Sequence, residues 1–180
     1  MAETYEFTKE ELQKVEEFKS RYPDSQSAVM PVLWLAQDKF GHVNPDVQKL
    51  VANTLDLPYA HVHGVATFYT QYYKEEMGTY VLDVCGSFSC QVCGAQEMIR
   101  HLEDKLGIKE GETTADGMFS IREVECLGAC GYAPMLQVTN DQYVNYLTKE
   151  KLDQLIEDLK AGKMPEFKSM PMANHQTNDS

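Results

Sequence analysis

The sequence has no apolar run long enough to cross a membrane and no excess of basic residues. Its longest apolar stretch, residues 28–36, contains Pro31 and is far shorter than the roughly 18–20 residues of a membrane helix. The formal net charge is −12 over 180 residues, and an acidic chain repels nucleic-acid phosphates. We therefore expect no direct membrane insertion and no nucleic-acid binding.

Two further signals are missing, one for export and one for dinucleotide binding. The N-terminal residues MAETYEF lack the basic and apolar segments of a signal peptide, so we expect the protein to stay in the bacterial cytoplasm. No G-x-G-x-x-G motif follows a predicted strand, so the chain is not expected to bind a dinucleotide itself. We expect any association with a membrane to be made through partners.

The first part of the chain has the apolar spacing of helices. Thr8 and Glu11 are placed as a capping box, and Asn44 followed by Pro45 is typical of a helix start. After both points, apolar residues recur every three or four positions, as they do on the buried face of a helix. We predict an N-terminal helical bundle over residues 1–75.

Beyond this bundle the pattern changes to strands mixed with helices. The predicted order is β-α-β-β-β-α, beginning with the apolar strand at residues 80–84. This order is typical of a thioredoxin-like sandwich, in which a proline at the position of Pro134 can follow a cis peptide bond. We predict this domain over residues 76–163, and a disordered tail over the polar, unpatterned residues 164–180.

Five cysteines are clustered between positions 85 and 130, and this clustering is the most informative feature of the sequence. The spacing is C-x4-C-x2-C for Cys85, Cys90 and Cys93, and C-x3-C for Cys126 and Cys130. In a reducing cytosol, clustered cysteines indicate metal binding or redox chemistry more often than structural disulfides. Each group follows a predicted strand, and neighbouring parallel strands end side by side, so two loops can supply the thiolates of one site.

The spacing alone fits three kinds of site. Iron–sulfur clusters take four thiolates, and the glycines beside these cysteines let the backbone approach a cluster. Tetrahedral zinc is a second interpretation, although structural zinc more usually has x2 pairs. A third is dithiol chemistry at Cys90 and Cys93, a C-x2-C pair at a predicted helix start. Within the iron–sulfur interpretation, a plant-type ferredoxin pattern would make Cys93 a ligand and leave Cys126 or Cys130 unused.

Four segments at matching spacing resemble those of one family. They are MPVLWLAQ at residues 30–37, VHGVATFY at residues 62–69, the C-x4-C loop from Cys85, and CLGACGYAP at residues 126–134. Together they resemble the 24-kDa (E-type) subunit of NADH:quinone oxidoreductase, which is respiratory complex I. The resemblance implies an α+β or α/β chain with an N-terminal helical bundle followed by a thioredoxin-like [2Fe–2S] ferredoxin domain.

The same resemblance implies a cofactor, its ligands and partners. The iron of one [2Fe–2S] cluster would be bound by Cys85, Cys90, Cys126 and Cys130, with Cys93 outside the ligand pattern. FMN and NADH would bind to a flavoprotein partner, and this chain would carry electrons beside the flavin without a catalytic residue of its own. Further iron–sulfur subunits would complete the quinone-reducing translocase, which would hold the chain in the cytoplasm at the periphery of the inner membrane.

Other functions fit the same residues. An NAD-linked hydrogenase or formate dehydrogenase would use the equivalent subunit. A free-standing ferredoxin is a further interpretation, although the N-terminal helices argue against it because they resemble a docking surface. A zinc-binding interaction module, with no redox chemistry, represents a different class of function.

Residues beside the cysteines are expected to tune a bound cluster. The carboxylates of Asp83, Glu123 and Glu125 would oppose the addition of an electron if they lie close to it. Backbone N–H groups of Gly86 and Gly128, directed at the sulfurs, would favour it. The sequence does not decide which effect is larger.

Overall fold

A computed structural model describes residues 5–166 of the chain. The first four helices are α1 (Lys9–Ser20), α2 (Val29–Phe40), α3 (Pro45–Leu55) and α4 (Tyr59–Phe68). The elements that follow are β1 (Tyr80–Cys85), α5 (Phe88–Val92), α6 (Ala95–Leu106), β2 (Phe119–Val124), β3 (Leu136–Val138), β4 (Gln142–Val144) and α7 (Lys149–Lys160). The predicted order β-α-β-β-β-α is confirmed, with the short helix α5 added in the first connection.

The chain forms two compact units, whose boundary falls within β1 and β2. The helical unit comprises residues up to 81 together with residues 111–120, and the cysteine unit comprises residues 82–110 and those from 121 onward. Of the tail predicted to be disordered, only the first three residues are described, and residues 167–180 lie outside the described part of the chain. No helix within residues 5–166 is both long and apolar enough to cross a membrane.

Side-chain caps fix the starts of the helices in the helical unit. Thr8 Oγ1 accepts a hydrogen bond from the backbone N–H of Glu11 at 3.2 Å, and a carboxylate oxygen of Glu11 accepts one from the N–H of Thr8 at 2.7 Å. Asn44 Oδ1 likewise accepts from the N–H groups of residues 46 and 47, and Pro45 is the first helical residue. Both predicted caps are confirmed, and each satisfies N–H groups that have no partner within the helix.

The second helix begins later than its apolar pattern suggests. The pattern predicts a start near Gln26, but residues 25–28 form a 3-10 turn and α2 begins at Val29. Asp24 Oδ1 accepts hydrogen bonds from the backbone N–H and the hydroxyl of Ser27, which stabilises this tighter turn. At the other end, Gly41 adopts the left-handed conformation (φ 77°) and terminates α2.

A single apolar core holds the four helices together. Its largest contributions come from fully buried aliphatic side chains: Val15, Val32, Leu33, Val47, Val51, Leu55 and Val62. The segment after α4 is fixed to this core by Gln37, whose Nε2 donates to the carbonyl of Gln71 at 2.9 Å and whose Oε1 accepts from the N–H of Tyr73 at 2.6 Å. One buried amide therefore binds two backbone groups of the segment that follows α4.

The four strands form a mixed sheet in the order β2-β1-β3-β4. β3 pairs antiparallel with both β1 and β4, so that β3 and β4 form a hairpin. β1 and β2 are parallel, because the N–H of Tyr80 donates to the carbonyl of Met118 and the N–H of Gly86 donates to that of Val124, each at 2.8 Å. The carboxyl ends of β1 and β2 are therefore neighbours, and a cysteine loop leaves each of them.

Candidate metal centre

The cysteines are placed by two loops of the cysteine unit. Cys85 is the last residue of β1 and Cys90 lies in α5, and each is 2% exposed. Cys126 follows the end of β2, and Cys130 begins a 3-10 turn at Cys130–Tyr132. Both are exposed. One side of the site is therefore buried and the other is open.

Four thiols form a connected set. The Sγ atoms of Cys126 and Cys130 are 3.4 Å apart. Side-chain contacts also join Cys85 to Cys90 and Cys85 to Cys126. Each of the four cysteines predicted as ligands thus touches at least one of the others.

The fifth cysteine lies apart from this set. Cys93 follows α5 and is exposed. Within residues 5–166, none of the thiol–thiol contacts includes Cys93. The geometry therefore brings together the C-x4-C pair, Cys85 and Cys90, and the C-x3-C pair, Cys126 and Cys130. A plant-type assignment would need Cys93 among these thiols.

The thiol pKa values of the site are shifted in different directions. Burial, followed by the adjacent Cys85 thiol, raises the pKa of Cys90 to about 11. The backbone N–H of Gly128, which donates to Cys126 Sγ at 3.4 Å, lowers the pKa of Cys126, and the Cys130 thiol lowers it further. The same Cys126 thiol raises the pKa of Cys130. Ionisation of one thiol therefore opposes ionisation of its neighbour, and a bound cation would relieve that opposition.

The contacts among the sulfurs form two pairs, Cys85 with Cys90 and Cys126 with Cys130, which are joined through Cys85 and Cys126. In the described part of the chain, no three His, Cys, Asp or Glu side chains converge as the ligands of a single metal ion do. Mononuclear zinc needs four ligands at about 2.0–2.3 Å from one ion. A binuclear cluster instead takes two protein ligands at each of its two irons. A donor set made only of thiols, in contacting pairs, fits the second arrangement better.

The backbone N–H groups of Gly86 and Gly128, both predicted to donate to a sulfur, have different acceptors. The N–H of Gly128 is directed at a sulfur, as predicted. The expectation for Gly86 is wrong, because its N–H donates to the carbonyl of Val124 in the parallel pairing of β1 and β2. That N–H group is used by the sheet, so it is not available to a sulfur.

The three neighbouring carboxylates also differ in environment. Asp83 is 2% exposed, and Arg122 Nε lies 3.1 Å from its Oδ1, in an ion pair without the direction of a hydrogen bond. Burial raises the pKa of Asp83 to about 6, against the effect of Arg122. Glu123 accepts hydrogen bonds from two glutamines. Glu125 is exposed and makes no hydrogen bond or ion pair within the described residues.

Two tyrosines that the sequence does not indicate hold the second cysteine loop. The hydroxyl of Tyr143, on β4, donates to the carbonyl of Leu127 at 2.9 Å, and that of Tyr146 donates to the carbonyl of Gly131 at 3.1 Å. Residues 143 and 127 are 16 positions apart, so no local pattern connects them. The Ala133–Pro134 bond within the same loop is cis.

Comparison with known proteins agrees with this site. A family model described as thioredoxin-like [2Fe-2S] ferredoxin matches residues 15–160. The chain is 43% identical to an E-type subunit of NADH-quinone oxidoreductase from Rhizobium meliloti, over 83% of this chain and 88% of that protein. It is 38% identical to NADH-quinone oxidoreductase subunit 2 of Thermus thermophilus, over 87% of this chain and 88% of that protein.

Solved structures share the fold at lower sequence identity. An NAD+-reducing [NiFe]-hydrogenase in its air-oxidized state has a TM-score of 0.60 and 20% identity, over 72% of this chain and 23% of that one. This likeness concerns the fold alone. The matched family model and the NADH-quinone oxidoreductase relatives confirm the family expected from the sequence, and the solved structure agrees with the expected fold. The chain belongs to the thioredoxin-like [2Fe–2S] ferredoxin family that includes the E-type subunits of NADH-quinone oxidoreductase, and membership of that family implies a [2Fe–2S] cluster.

Proposed function

We propose that the chain binds one [2Fe–2S] cluster through Cys85, Cys90, Cys126 and Cys130 and transfers electrons as a subunit of NADH:quinone oxidoreductase. The observation that carries the ligand assignment is the connected set formed by these four thiols. Four thiolates are also the donor set that such clusters take in proteins. When bound, the cluster supplies reversible one-electron transfer.

The residues of this chain shape the two sides of that site. Cys85 and Cys90 are buried, so the inner side is shielded from water and charges there interact strongly. Cys126 and Cys130 are exposed, and their side is the one through which a partner exchanges electrons. The N–H of Gly128 donates to Cys126 Sγ and stabilises negative charge on that sulfur.

The complex is inferred from the curated relatives. Both relatives named above are NADH-quinone oxidoreductase subunits, and the match covers 88% of each of them. We infer a flavoprotein partner that binds FMN and NADH, further iron–sulfur subunits, and a cytoplasmic position at the periphery of the inner membrane. The alternatives of an NAD-linked hydrogenase or formate dehydrogenase receive less support, because the hydrogenase likeness is 20% identical and concerns the fold.

The cluster assignment is tested on the anaerobically purified chain. We expect equal amounts of iron and acid-labile sulfide, and a paramagnetic signal that appears only after reduction with dithionite. Serine substitution of Cys85, Cys90, Cys126 or Cys130 should lose or distort that signal. Cys93→Ser is the matched control and should retain it. Stoichiometric zinc without a signal would overturn the assignment, and loss of the cluster in Cys93→Ser would overturn the ligand set.

The subunit assignment is tested by purification from the native host. A tagged chain should co-purify with an FMN-containing protein and with NADH-dependent quinone reduction. NADH-dependent hydrogen or formate chemistry in the purified material would assign the chain to one of the alternative complexes. Recovery of the chain as a monomer without flavin would contradict the subunit proposal while leaving the cluster assignment intact.

A further inference from the structure

We infer that Glu123 is a positioning residue for the loop that carries Cys85 and Cys90, and that its charge lowers the reduction potential of the cluster bound there. The part of this inference that concerns the cluster rests on the proposed function. The part that concerns the loop rests on contacts of Glu123 with three other segments of the cysteine unit. Glu123 itself lies on β2, three residues before Cys126.

Both carboxylate oxygens of Glu123 accept hydrogen bonds from helices near the first cysteines. These helices are α5, which carries Cys90, and α6, which follows it. Gln91 Nε2, in α5, donates to Oε1 at 3.3 Å, and Gln96 Nε2, at the start of α6, donates to Oε2 at 3.0 Å. Gln91 is adjacent to Cys90 in the sequence. One side chain on β2 therefore restrains the helix that carries Cys90 and the start of the helix that follows it.

The third contact of Glu123 is made possible by a glycine. A Cβ atom placed on Gly86 would lie 2.1 Å from Glu123 Oε1 and 2.6 Å from its Cγ, much closer than non-bonded atoms approach. Gly86 directly follows Cys85, and its φ is not in the left-handed region. Glycine at position 86 therefore leaves space for the Glu123 side chain, and this space is the reason that a residue without Cβ fits there. The carboxylate of Glu123 lies against the backbone of Gly86, which follows the proposed ligand Cys85. It is also hydrogen-bonded to Gln91, which follows the proposed ligand Cys90.

The charge of Glu123 is held in place without being neutralised. Its two hydrogen-bond donors are neutral amides, and no cation forms an ion pair with it in the described part of the chain. Asp83 differs, because Arg122 lies 3.1 Å from its carboxylate. A fixed negative charge beside the loop that carries two thiolates disfavours the addition of an electron. Loss of this charge should therefore raise the reduction potential.

The contact is tested by a double-mutant cycle between Gly86 and Glu123. Gly86→Ala should accelerate the release of iron to a chelator about tenfold, because the new methyl group displaces the carboxylate from both glutamines. In the Glu123→Ala background the same Gly86→Ala change should have little further effect, because the atoms that it would strike are gone. A thermal-unfolding version of the cycle should show the same pattern of non-additivity and needs no cluster.

The charge is tested by Glu123→Gln, with Glu125→Gln as the matched control. Glu123→Gln should raise the midpoint potential and accelerate iron release about threefold, since the amide can accept from only one of the two glutamines. Glu125→Gln removes an equal charge next to Cys126 but no hydrogen bond, so its iron release should match the wild type. Glu123→Asp should not restore the wild-type rate of iron release, because the shorter side chain cannot reach both glutamines.

The results separate this inference from the proposed function. Additive effects of Gly86→Ala and Glu123→Ala in both versions of the cycle would overturn the positioning role. An unchanged potential in Glu123→Gln would overturn the electrostatic role. If the wild-type chain holds no iron–sulfur cluster, the proposed function and the electrostatic role fail together, whereas the thermal cycle still decides whether Glu123 positions the loop.

Discussion

The buried phenol of Tyr72 should make the helical unit sensitive to alkali. Tyr72 is 0% exposed, and its hydroxyl donates to the carbonyl of Met30 at 3.1 Å. Burial is the main cause that raises the pKa of Tyr72 to about 12; a hydrogen bond with Gln71 opposes the increase, and Tyr69 adds to it. Because the folded pKa lies above the unfolded value of 10.0, this stabilisation is fully present below pH 10 and is lost as the pH rises toward 12.

The size of the effect follows from the pKa difference. One pKa unit corresponds to about 1.4 kcal/mol, so the wild type should lose about 1.4 kcal/mol of unfolding free energy by pH 11 and about 2 kcal/mol by pH 12. Tyr72→Phe has no phenol to ionise and avoids this loss. At neutral pH it lacks the hydrogen bond to Met30 and should be less stable by about 1 kcal/mol. The stability curves of the two proteins should therefore cross between about pH 10 and 11.

The assay is urea unfolding at a series of pH values from 7 to 11. Trp34 is the only tryptophan in the sequence, and its ring lies 5.9 Å from that of Tyr72, so its fluorescence reports on this unit. Thr54→Val is the matched control, because the Thr54 hydroxyl donates to the carbonyl of Leu50 at 2.7 Å and does not titrate in this range. The control difference should be constant with pH. A constant difference for Tyr72→Phe as well would refute the reasoning.

Two further substitutions test the contacts that hold irregular segments in place. Gln37→Leu should lower the unfolding free energy by about 2–4 kcal/mol, because it removes the two hydrogen bonds that Gln37 makes to the carbonyl of Gln71 and the N–H of Tyr73; a loss below 1 kcal/mol in urea unfolding would contradict this. Tyr143→Phe frees the carbonyl of Leu127 and should lower the thermal midpoint slightly while accelerating iron release, and unchanged iron release would show that this bond does not restrain the loop.

Helix boundaries were predictable where the determining contacts are local. The capping atoms of Thr8 and Glu11 are three residues apart, and Asn44 accepts from groups two and three residues away. A window of a few residues contains all the information for such a cap. The start of α2 was less predictable, because the apolar pattern runs through the 3-10 turn that Asp24 caps.

Contacts between distant residues were not predictable in the same way. Gln37 satisfies backbone groups 34 and 36 residues away, and its polar side chain interrupts an otherwise apolar helix face. The sequence shows the interruption but not the partner. Tyr143 shows the same limitation, since its bond to Leu127 depends on the register of β3 and β4.

The cysteine spacing left open both the chemistry of the site and its ligand set. Five thiols in two groups fit iron–sulfur, zinc or dithiol chemistry, and within the iron–sulfur interpretation two assignments of the ligands fit the spacing equally well. The parallel pairing of β1 and β2 brings the loop after Cys85 beside the loop that contains Cys126. Cys93 follows α5 and is directed to solvent. The spacing does not contain this distinction, whereas the sheet order does.

Gly86 shows why a residue type can be correctly singled out for the wrong physical reason. A glycine beside a cysteine suggests a backbone N–H directed at sulfur, yet this N–H belongs to the pairing of β1 with β2. What the site uses is the missing side chain, whose space is filled by Glu123. Both roles favour glycine, so the sequence cannot separate them, but they respond differently to mutation. Alanine would preserve an N–H···S bond and would be excluded by the Glu123 side chain, so the dependence of Gly86→Ala on Glu123 distinguishes the two roles directly.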